Sequence, residues 1–151
     1  MTVAPTILIV EDDDGHAFLI EENLRRGGVT TPILRFIDGQ EVLDFLFRRT
    51  VGPGFEPGGA YLLSLDIRMP GVDGIETLRQ IKADPGLRCL PVIMLTTTDD
   101  SREVQRCHEL GCNGYIQKPV SFDRFAITIN TLAHFVSVME LPVIPALHGS
   151  C

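Results

Sequence analysis

The chain has 151 residues, 44% of them hydrophobic and 22% charged, and a formal net charge of −7. That length and balance predict one globular domain with its own core, and with no basic run longer than Arg25-Arg26 or Arg48-Arg49 they argue against direct nucleic-acid binding. Apolar stretches of four or five residues fall far below the ~20 needed to cross a bilayer, and Met-Thr-Val-Ala-Pro-Thr is no signal peptide, so the expected compartment is the cytoplasm.

Apolar runs alternate with amphipathic segments, which predicts strand–helix units on a mainly parallel sheet. The first strand is expected at Thr6–Val10, followed by a helix from about Asp14, capped by Asp13 or Asp14 and stopped by Gly27-Gly28. Phe18, Leu19 and Leu24 are expected on its inner face. Ile33–Phe36 reads as the second strand, and Asp38-Gly39 opens a helix with Val42, Leu43, Leu46 and Phe47 at helical spacing. Thr50–Ala60, with four glycines and two prolines, is a loop, either a surface insertion or a partner contact. The third strand, Tyr61–Leu65, leads to Asp66, and a helix from Asp73-Gly74 ends before Pro85. Pro91–Leu95 is the fourth strand. Ser101–Leu110 is a helix with a weak apolar face, and Tyr115–Gln117 is the fifth strand. Ser121 caps a last helix whose stripe is Phe125, Ile129, Leu132, Phe135, Val136 and Met139. Residues 141–151 are expected to form an extended tail after a domain spanning 1–140, with no output domain.

Strict alternation of five strands and five helices predicts an α/β fold. It is a doubly wound (βα)5, flavodoxin-like sandwich, a five-stranded parallel sheet with helices on both faces. Such folds place their sites at the carboxyl ends of the strands. Glu11 and Asp12 follow the first strand, Asp66 the third, Thr96 the fourth, and Lys118 the fifth. Converging carboxylates repel by about 4 kcal/mol per pair at ~4 Å and an effective dielectric near 20, so the set needs a divalent cation, a retained proton or Lys118. Oxygen donors suit Mg²⁺, and Mg²⁺ beside a carboxylate nucleophile and a lysine suits phosphoryl chemistry. Asp66 is the central candidate nucleophile, with Lys118 and the Thr96 hydroxyl as partners for phosphoryl oxygens. The Lys118-Pro119 junction disfavours helix and admits a cis bond. Cys89, Cys107, Cys112 and Cys151 lack metal-ligand spacing and are expected as reduced thiols.

Four segments in register, Val10-Glu11-Asp12, Leu65 to Gly74 (Leu-Asp-Ile-Arg-Met-Pro-Gly-Val-Asp-Gly), Pro91 to Thr96, and Gly114 to Pro119, carry a specific likeness. With them the chain resembles the receiver domain of two-component response regulators from Thr6 to about Met139. The resemblance implies that Asp66 accepts phosphate from a sensor histidine kinase. It implies Glu11 and Asp12 as the acidic pair, with Asp12, Asp66 and the Arg68 backbone carbonyl as Mg²⁺ ligands. Thr96 would be the switch hydroxyl, Tyr115 the coupled aromatic and Lys118 the phosphate-sensing cation. The Glu-Asp pair, Asp38 to Leu46, the long loop and Met139-Glu140-Leu141-Pro142 resemble the single-domain regulators paired with bacterial phytochromes, making a bacteriophytochrome a candidate kinase. Ile67-Arg68-Met69 departs from that subgroup. Output would pass through a partner protein, a phosphorelay or a homodimer formed on the apolar last helix and the Leu141–Leu147 tail. Two rivals remain. A haloacid-dehalogenase-type phosphatase would need an Asp where Arg68 stands, and a receiver-like binding module would turn no phosphate over.

Overall fold

The computed structural model describes residues 4–49 and 54–145. In chain order the elements are β1 (Thr6–Val10), α1 (Asp14–Arg26), β2 (Ile33–Phe36), α2 (Gly39–Leu46) and β3 (Tyr61–Leu65). They continue with α3 (Gly74–Ala83), β4 (Val92–Thr96), α4 (Ser101–Leu110), β5 (Gly114–Gln117) and α5 (Phe122–Val138). The sheet is parallel throughout, in the order β2-β1-β3-β4-β5. The strand order reverses between β1 and β3, which opens a crevice at the carboxyl ends of those two strands.

Alternation along the strands divides the core. Leu8, Val10, Leu63 and Leu65 face a cluster with Val42 and Leu43 of α2, Leu78 and Ile81 of α3, and Cys107 of α4. Ile7, Ile9 and Leu62 face the other side, where Ile20 and Leu24 of α1 meet Phe125, Ile129 and Val136 of α5. Every residue of β3 and β4 is buried, whereas edge strands β2 and β5 are only partly so. Each fully buried Leu or Ile contributes about 1.5–3 kcal/mol. The helices start from polar caps: Asp13, Asp38, Asp73, Asp100 and Ser121 each accept a backbone N–H of the first turn.

Several expectations shift. Phe18 is 64% exposed; the inner face of α1 is Ala17, Ile20, Asn23 and Leu24, with Leu19 partly buried at its border. Phe135 is 57% exposed, and Met139 lies beyond α5 as its C-cap. The fourth strand runs one residue later, through Thr96, because Pro91 has no N–H to give the ladder while its carbonyl accepts from Leu63 at 3.0 Å. No peptide bond is cis among the described residues, Lys118-Pro119 included. Cys107 and Cys112 are free, but Cys89 is disulfide-bonded, which corrects the expectation of a reduced thiol there; Cys151 lies outside the described residues.

The predicted loop is anchored rather than loose where it is described; residues 50–53 lie outside the described residues. Phe55 is buried and stacks within 4.7 Å of the Tyr61 ring centroid and 6.4 Å of Phe45. The segment after α5, expected as an extended tail, returns to it through residue 145; residues 146–151 lie outside the described residues. Val143 forms an antiparallel bridge with Ala60, Ile144 is fully buried, the Gly58 N–H donates to the Ile144 carbonyl at 2.8 Å, and the Ile144 N–H donates to the Gly59 carbonyl at 3.0 Å.

Candidate functional site

Parallel pairing levels the strand ends, with Val10 opposite Leu65, Leu65 opposite Met94, and Thr96 opposite Gln117. Glu11, Asp12, Asp66 and Lys118 therefore leave the sheet at one edge. The Asp66 backbone N–H donates to Val10 O at 3.2 Å. Beneath it, a side chain at Gly74 would collide with the Asp66 carbonyl and the Ile67 backbone. The glycine thus lets the first turn of α3 lie against the Asp66 segment, where Gly74 N–H donates to Ile67 O at 2.9 Å. Glu11, Asp12 and Asp66 each bring a carboxylate oxygen within 4.8 Å of the others. Three oxygen donors at that separation fit a hard divalent cation that keeps some of its water.

Glu11, Asp66 and Lys118 are buried, and Asp12 is exposed. Lys118 Nζ makes a close ion pair with Glu11 Oε1 and donates to Asp66 Oδ2 at 3.2 Å. His16 Nδ1 lies 3.2 Å from the same ammonium. The second Glu11 oxygen accepts the Asp13 N–H at 3.2 Å, and Arg35 donates to the Glu11 carbonyl at 2.9 Å. Burial pushes the Glu11 carboxyl up to about 7; Lys118 opposes that rise and the Asp66 charge adds to it. Buried charges of this kind need partners, and here one ammonium serves two carboxylates.

Thr96 is fully buried at the end of β4, and its carbonyl accepts the Lys118 N–H at 2.7 Å. Its hydroxyl receives the Thr98 N–H at 3.4 Å. Tyr115 is half-buried and donates its hydroxyl to the Thr98 carbonyl at 2.9 Å; burial pushes that phenol up to about 12. Arg68 turns its side chain to Glu103 of α4 at 2.9 Å, and the same Glu103 oxygen accepts the Thr98 hydroxyl at 2.8 Å. The edge thus divides into an acid–ammonium cluster and a neighbouring loop network built from Arg68, Thr98, Glu103 and Tyr115.

His16, Thr98 and Glu103 carry no sequence signal of their own. His16 is a single histidine in the first turn of a helix, and nothing in its spacing marks an approach to Lys118, 102 residues away. Thr98 and Glu103 read as loop and surface residues.

A family model described as the response regulator receiver domain matches residues 7–130. The probable methanogenesis regulatory protein FilR2 of Methanothrix harundinacea is 36% identical over 129 residues, covering 85% of this chain and 81% of that protein. Among solved structures, a response regulator receiver domain from Rhodospirillum rubrum aligns with a TM-score of 0.85 at 45% identity, covering 93% of this chain and 99% of that one. The phosphorylated cyanobacterial phytochrome response regulator RcpA aligns with a TM-score of 0.81 at 27% identity, covering 93% and 99%.

Proposed function

Because this chain belongs to the family of response regulator receiver domains, phosphoacceptor switches of two-component signalling, we propose that Asp66 is its phosphoacceptor. The observation that carries this is the Asp66 carboxylate at the end of β3, 3.2 Å from the buried Lys118 ammonium and within reach of the Glu11 and Asp12 oxygens. In this reading an Asp66 oxygen attacks the phosphorus of a phosphohistidine. The phosphorus–nitrogen bond breaks, its electron pair returns to the imidazole, and an acyl phosphate forms on Asp66.

Lys118 then exchanges its Asp66 contact for a phosphoryl oxygen, and the Thr96 hydroxyl turns toward another. Asp12, Asp66 and the Arg68 carbonyl would hold Mg²⁺, with Glu11 beside them. The cation supplies neutralisation of phosphoryl charge. Phosphorylation adds about −1.5 to −2 charges, and movement of Thr96 is passed through Thr98 to Tyr115, whose hydroxyl is bound there.

The donor is a sensor histidine kinase, and a bacteriophytochrome is the candidate supported by the likeness to RcpA at 27% identity. Output passes to a downstream phosphotransfer or effector protein or through a homodimer. Exposed Ile127, Phe135 and Val138 on α5 support the latter. Phosphotransfer from a panel of purified histidine kinases tests the partner: a phytochrome kinase should label the chain faster than unrelated kinases, and labelling no faster than theirs would reject that assignment.

A further inference from the structure

We propose that His16 is a positioning residue that orients the Lys118 ammonium for transfer to Asp66. The inference rests on the phosphoacceptor reading above and adds a residue to it. An ammonium has three N–H donors and no acceptor. Glu11 Oε1 and Asp66 Oδ2 take two of the three, and His16 Nδ1, 3.2 Å away, is placed to take the third.

Since Lys118 can only donate, Nδ1 must accept. The alternative partner for that nitrogen, Glu11 Oε1, is 3.6 Å away, too far for a hydrogen bond. The residue is held at its backbone and at its ring. Asp13 caps α1 by accepting the His16 backbone N–H at 2.9 Å. The buried Phe125 ring of α5 meets the imidazole edge-on, with centroids 5.9 Å apart and planes at 69°.

Three acceptors around one ammonium fix its direction as well as its place. When Asp66 becomes an acyl phosphate, its contact with Lys118 passes to a phosphoryl oxygen, while Glu11 and His16 remain as the two fixed anchors. Without His16 the ammonium keeps its charge and loses a bearing, so the defect belongs in the transfer step rather than in donor binding.

The test uses the full chain with acetyl phosphate and Mg²⁺, following initial phosphorylation rates by intact mass across acetyl phosphate concentrations. His16→Leu is expected to lower the maximal rate by about tenfold, the scale of one charge-assisted hydrogen bond, and to leave the half-saturating concentration unchanged. His16→Asn, whose amide oxygen stands near the Nδ1 position, is expected to recover most of that loss. In the native protein, long-range ¹H–¹⁵N spectra should show the His16 ring protonated on Nε2. A native rate in His16→Leu, an Asn variant no better than Leu, or a ring protonated on Nδ1 would each overturn the inference alone. An inert native protein would overturn the phosphoacceptor reading, and this inference with it.

Discussion

At the scale of single residues, the site is governed by one ammonium shared between two buried carboxylates, and its pH response follows from Glu11. The folded-state value of Glu11 is raised from 4.5 to about 7 by burial. Below the unfolded value both states hold the proton and there is no penalty. As pH rises from about 4.5 to 7 the unfolded chain gives up its proton while the folded one keeps it, so stability falls across that window and levels off above it. With a chelator present, urea melts of the native protein and Glu11→Gln between pH 5 and 8 should diverge, the variant gaining relative stability as pH rises. Parallel curves would remove Glu11 as the source. The strand-end residues Glu11, Asp12, Asp66 and Lys118 were legible because charged groups at or just beyond the ends of apolar runs break the local pattern. His16 was not, since its contact arises from the packing of α1 against α5.

At the scale of elements, strands and caps announce themselves and exposed faces do not. The apolar runs and the Asp or Ser before each helix marked the starts of nearly all elements to within one residue. The side facing inward was harder to read. In α1 Phe18, Leu19 and Leu24 all fit a helical stripe, but Phe18 turns to solvent while Leu24 is buried with Ala17 and Ile20 and Leu19 packs partly buried against them. Gly74 joins an element to the site, so Gly74→Ala should cost about 1–3 kcal/mol through overpacking and slow Asp66 phosphorylation; thermal melts and the acetyl phosphate assay measure both, and an unchanged melt would deny the close approach. Glu103 ties α4 to the β3–α3 and β4–α4 loops through Arg68 and Thr98. Glu103→Gln should change global stability by less than about 1 kcal/mol, while amide exchange at Thr98 and Asp100 quickens. Unaltered exchange there would show that the network does not hold the loop.

At the scale of the whole molecule, the sheet order levels the strand ends, and the chain beyond α5 fastens the loop before β3. Sequence patterning conveyed the first, since strict alternation of strands and helices leaves few topologies. It could not convey the second, because Phe55 and Ile144 sit in glycine- and proline-rich segments without period. Ile144 is fully buried in the α2–α3 cluster, so Ile144→Ala should destabilise the fold by about 2–5 kcal/mol, as read from denaturant midpoints; a loss below about 0.5 kcal/mol would mean that this segment carries no core. The architecture matters because it delivers Asp66 to Lys118 and the acidic pair. The most direct test of that claim is intact mass spectrometry of the native chain and Asp66→Asn after acetyl phosphate treatment, each with Mg²⁺ and with a chelator. The account predicts a single phosphoryl adduct on the native chain, dependent on Mg²⁺ and missing from Asp66→Asn. An adduct that persists in Asp66→Asn, or a native chain that takes up none, would contradict it.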